Sequence, residues 1–69
     1  MEDHYEINVA FNGWHLFATA PRSVITENDL KKVLNIIVQK FPEKEGYSIS
    51  VRKWEARGYT VNIGDVIGG

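Results

Sequence analysis

Tyr5-Glu6-Ile7-Asn8-Val9-Ala10-Phe11-Asn12-Gly13-Trp14-His15-Leu16-Phe17-Ala18 holds two alternating runs on either side of an Asn-Gly pair. Tyr5, Ile7, Val9 and Phe11 alternate with Glu6, Asn8 and Ala10, the two-residue period of a half-buried strand. Asn-Gly supplies the two positive-φ positions of a type I′ turn at least cost, so a hairpin follows, with its second strand over Trp14–Ala20. A two-residue turn sets Phe11 opposite Trp14, Val9 opposite Leu16 and Ile7 opposite Ala18, six side chains on one face, which is read as the core side. Glu6, Asn8, Ala10, His15, Phe17 and Thr19 then point away from it. Phe17 is the member that does not suit a wet surface.

Downstream, Pro21 ends the strand, and Thr26-Glu27-Asn28-Asp29 reads as a helix start, with Thr26 as N-cap and acids facing the positive end of the dipole. Leu30, Val33, Leu34, Ile37 and Phe41 recur at three- and four-residue steps, predicting an amphipathic helix over 27–41 that stops before Pro42. Tyr47, Ile49 and Val51, a turn at Glu55-Ala56-Arg57-Gly58, and then Tyr59, Val61 and Ile63 make a second hairpin over 47–63. Residues 64–69 read as a tail, with no helix after the last strand. The expected fold is a single α+β domain over 1–69. It is a two-layer sandwich of order β-β-α-β-β, with a first hairpin over 5–20 and one helix on one face of a four-stranded sheet. Two hairpins fix only two adjacent strand pairs, so the strand order stays open.

At 69 residues the chain builds one core and buries roughly 60% of its unfolded surface, which bounds its stability. Eight Lys and Arg against nine Asp and Glu leave a net charge of −1, which gives no field for gathering nucleic acid or an anionic membrane. The longest unbroken apolar run, Ile36-Ile37-Val38, is far short of the roughly 20 residues of a membrane span. With no cysteine there is neither a disulfide framework nor a thiolate metal site, and an acidic start in place of an export signal favours the cytoplasm. The only histidines are His4, in a terminus expected to fray, and His15, on the outward face. They are not at metal-binding spacing and not beside a nucleophile motif, so neither catalysis nor a metal is expected. No Gly-rich phosphate loop is present, and no cofactor is expected.

The pattern therefore directs attention to the uncovered sheet face, where it places Phe17 and Trp54 together with His15, Arg52 and Thr60. Two large rings and an arginine are the usual anchors of a protein interface, so the expected partner is another protein or a second copy of the chain. Local packing of the rings against the Arg52 and Lys53 stems is the competing reading. A base-stacking platform for single-stranded nucleic acid ranks behind both, since Glu6 and Glu55 dilute the basic cluster of Arg52, Lys53 and Arg57. Trp14 is expected in the core and Trp54 outside it, unless a bulge in the third strand reverses Trp54.

Two resemblances bear on function. The terminal Gly68-Gly69 is similar to the ends of ubiquitin-like modifiers and sulfur carriers, but nothing upstream of the tail matches them. A helix followed by Phe41-Pro42-Glu43-Lys44-Glu45-Gly46 and then Ser50-Val51-Arg52 resembles the DinI family of small DNA-damage-response and phage proteins. That resemblance implies a phage or mobile-element accessory protein, with modulation of a recombinase filament as the family's activity. The family acts through an acidic C-terminal helix and has one strand where this chain has a hairpin. The expectation from the residues themselves is a small non-catalytic accessory protein that inhibits or adapts a host protein through its sheet face.

Overall fold

Asn12 and Gly13 take φ of 48° and 87°, the two positive values that a type I′ turn requires, and they fold β1 (His4–Phe11) back onto β2 (Trp14–Ala18). The computed structural model describes residues 3–55 and 58–67. The chain leaves β2 through a turn near Pro21, and the Val24 carbonyl accepts a hydrogen bond from the Tyr5 amide at 2.8 Å, tying the connection to the start of β1. Helix α1 (Glu27–Lys40) then opens on a capping box: the Thr26 hydroxyl accepts from the Asp29 amide at 3.1 Å, and the Asp29 carboxylate accepts from the Thr26 amide at 3.3 Å. Phe41 closes the helix ahead of Pro42. A 3₁₀ turn over Glu43–Glu45 and Gly46, at φ 103°, swing the chain into β3 (Tyr47–Trp54). Then come β4 (Gly58–Val61) and a five-residue helix α2 (Ile63–Ile67).

The sheet order is β2-β1-β3-β4, every pair antiparallel, so the two hairpins join through their inner strands. This is the α+β two-layer architecture that the element order implies, and it resolves the strand order that hairpins leave open. One face of the sheet carries the core: Tyr5, Ile7 and Val9 of β1 and Val51 of β3 pack with Val24 and with Leu30, Leu34 and Ile37 of α1. Leu30, Leu34 and Ile37 are the centre of the helix stripe read from the sequence, and Val33 and Phe41 flank it, half-buried.

Four expectations need correction. Residues 63–67 are a helix packed on α1, not a final strand end and tail; Val66 and Ile67 lie against the core, and Asp65 is its one acid. His4 is the first residue of β1 and is 6% exposed, so it belongs to the sheet and not to a frayed end. The first hairpin keeps Phe11 opposite Trp14, but Ala10 then pairs with His15 and Val9 with Phe17, leaving Leu16 as the extra residue of a bulge. Phe17 therefore turns to the helix face, with its ring 5.5 Å from that of Phe41. Last, Trp14 is not core: it is 78% exposed. The physical reason is that 14, 16 and 17 are all large and apolar, and strict alternation would strand Phe17 in water. The bulge exposes Leu16 and gives the larger ring an aromatic neighbour.

That neighbour belongs to a cluster. Phe41 lies 5.2 Å from Tyr47, edge to face, and Tyr47 lies 4.8 Å from Phe11, so four rings, from β2, the C-cap of α1, β3 and β1, close the end of the core beyond the last helical turn. Each such contact contributes roughly 0.5–1.5 kcal/mol beyond the area it buries.

Candidate functional site

The full-length β1–β3 register fixes the composition of the open face. His4 lies opposite Trp54, Glu6 opposite Arg52, Asn8 opposite Ser50 and Ala10 opposite Ser48, while Thr60 of β4 lies opposite Arg52. His15 joins this face as the partner of Ala10. Four of the five residues expected there, Trp54, His15, Arg52 and Thr60, do share it. Phe17 does not, so the pair of rings meant to anchor one interface is divided between the two faces of the sheet.

What the open face offers is polar. The Asn8 amide donates to Glu6 Oε1 at 3.0 Å, and His15 Nε2 stands 3.4 Å from Asn8 Oδ1, a line of three side chains across β2 and β1. His15 is exposed, so the line encloses no volume from which water is excluded. Trp54 is half-buried, with the Arg52 guanidinium 5.6 Å from its ring centre, so much of the ring is already occupied by its own neighbour. Arg57 of the basic cluster and the Gly68-Gly69 end lie outside the described residues. Lys53 belongs to the other face, opposite Tyr5, with its ammonium 5.5 Å from the Tyr5 ring centre and 3.2 Å from Glu55.

The described residues line cavities on the helix side, and His15 lines neither of the two that follow. One, of about 420 Å³, is bounded by Tyr5, Glu27, Leu30, Lys31, Val61 and Asp65. The other, of about 250 Å³, is apolar and runs between Phe41, Tyr47, Ile49 and α2. The Asp29 carboxyl is held below the usual carboxylate range by the Thr26 backbone and side-chain hydrogen bonds, so its charge serves the helix start. Among the described residues no group of three or more His, Asp or Glu is placed to hold a metal ion, and no helix is long and apolar enough to cross a membrane.

The feature absent from the sequence reading is the outer edge of β2. This strand is a margin of the sheet, all five of its residues are exposed, and Trp14, Leu16 and Phe17 leave 78%, 49% and 37% of their surface in water. Edge strands are ordinarily guarded by charge or proline. Trp14–Ala18 contains no Lys, Arg, Asp, Glu or Pro, and its bulge is the guard it has. A signal was available: three large apolar residues in four positions fit no alternation.

Compared with known proteins, the chain matches no protein-family model, no curated protein and no solved structure.

Proposed function

We propose that the chain is a non-catalytic protein-binding module, an accessory or regulatory protein that acts by docking on another polypeptide through the outer edge of β2. One observation carries this reading: an uncharged edge strand exposing Trp14, Leu16 and Phe17. An edge strand presents main-chain N–H and C=O groups that an added strand satisfies, and side chains beside it supply specificity. Covering a largely exposed tryptophan and a half-exposed leucine contributes on the order of 2 kcal/mol each, enough for a reversible complex. The polar open face, with its Trp54 ring partly covered by Arg52, supports an interface less well. A cytoplasmic setting belongs to the same proposal, since the cysteine-free chain requires no oxidising compartment.

The test is a capture experiment from the native host, comparing the wild-type chain with Trp14→Arg on the edge and Arg52→Glu on the open face. The expected result is a partner retained by wild type and Arg52→Glu and lost by Trp14→Arg. Loss with Arg52→Glu and retention with Trp14→Arg would move the interface to the open face and overturn the assignment. Retention of an oligonucleotide that falls steeply with salt would replace a protein partner with a nucleic acid.

A further inference from the structure

We infer that the strand added to β2 is β2 of a second copy, joined antiparallel about a two-fold axis into one continuous eight-stranded sheet. This inference rests on the reading of β2 as a strand-accepting edge and names its occupant.

The strand is complementary to itself. Its register with β1 puts Trp14 on the helix face, opposite Phe11, and Phe17 on the same face, opposite Val9. An axis passing between His15 and Leu16 sets Trp14 against Phe17 of the second copy, and the reverse, so both cross-strand pairs on the helix face are aromatic against aromatic. A strict alternation would have put 14 and 17 on opposite faces; the bulge is what makes this pairing possible. Charge allows it as well, because Trp14–Ala18 has no permanently charged side chain to oppose its own copy. A strand offering a foreign partner no charge has little with which to select one, whereas it presents no repulsion to itself.

The helices leave room for the joint. The core residues place α1 over β1 and β3, and adjacent strands are about 4.8 Å apart, so two copies paired through β2 hold their helices roughly 19 Å apart across the axis. That is about one helix diameter more than helix contact requires, and the floor of the gap is lined by Trp14 and Phe17 from each copy. Taking a large aromatic as roughly 200 Å² or more, Trp14 and Phe17 leave about 250 Å² in water per copy before Leu16 is counted. Even with both copies counted, that area is well below the roughly 1,200 Å² at which standard specific interfaces begin, so the dimer is of the weak, reversible class.

Sedimentation equilibrium on the purified full chain, from low micromolar to about millimolar, tests this, with Leu16→Lys, Trp14→Arg and Trp54→Ser alongside. Leu16 and Trp14 are exposed, so their variants keep the fold, which circular dichroism checks. The expected result is a wild-type mass rising from the 7.9 kDa monomer toward twice that value. Leu16→Lys and Trp14→Arg stay monomeric over the whole range, and Trp54→Ser associates as wild type does. Wild type remaining a monomer throughout, or either edge variant associating normally, overturns the inference. A monomeric wild type whose host partner is still lost with Trp14→Arg would sink self-pairing while leaving the edge reading intact. A monomeric wild type with capture unaffected by Trp14→Arg would sink both.

Discussion

Gly46 is a residue whose replacement has a defined cost. Its φ of 103° lies where side chains are strained, and a Cβ built there would stand 2.7 Å from Asn12 Oδ1 and 3.2 Å from a Phe11 ring carbon. The Gly46 carbonyl also accepts from the Asn12 amide at 3.0 Å, so the loop before β3 is fastened to the hairpin turn. Gly46→Ala is expected to destabilise the fold by about 1–3 kcal/mol, read as a lower denaturant midpoint. Asp29 gives a pH-dependent counterpart. Its carboxyl is depressed below the ordinary 3.8 in the folded state, chiefly by the Thr26 backbone hydrogen bond. The stabilisation it provides is therefore complete above the unfolded-state value and is lost as pH falls through the folded-state value. Between about pH 5 and pH 2 the wild-type melting temperature should drop further than that of Asp29→Asn; equal drops would separate the capping box from acid sensitivity.

Among the elements, α1 was the most legible in the sequence and β2 the least. The helix announces its start through Thr26 and Asp29 and its buried side through Leu30, Leu34 and Ile37, and all of these act as their spacing implies. Leu34 is fully buried, and Leu34→Ala should cost about 2–5 kcal/mol by thermal or denaturant melting. The Asn-Gly turn was equally clear, because only the local backbone decides it. The strand after it was not, because its register depends on a contact remote in sequence. Phe17 finds Phe41, and nothing within Trp14–Ala18 announces that ring. One inserted residue then changed the composition of both faces, removing an aromatic from the open side and leaving Leu16 at the edge. Trp54 fell on the open face as its spacing implied, since β3 pairs with β1 over eight residues without a shift. Helix α2 was missed because Gly64 and the brevity of the segment hide its period; its burial comes from α1 and not from local propensity.

For the molecule as a whole, α1 packs over β1 and β3 and leaves the β2 margin open, so among the described residues three of the four exposed large apolar side chains, Trp14, Leu16 and Phe17, lie on β2, and the fourth, Ile36, lies on α1. A chain of 69 residues with one small core has little stability to spare, and an uncharged edge guarded by a bulge alone is a liability unless something covers it. The measurement that tests this most directly is amide hydrogen exchange of the intact chain at two concentrations, one near micromolar and one near millimolar. With a second copy as the cover, exchange of the outward-facing amides of Trp14–Ala18 slows several-fold at the higher concentration while amides of β3 and β4 are unchanged. Exchange in β2 that is independent of concentration, or protection gained at the β4 margin instead, would contradict it.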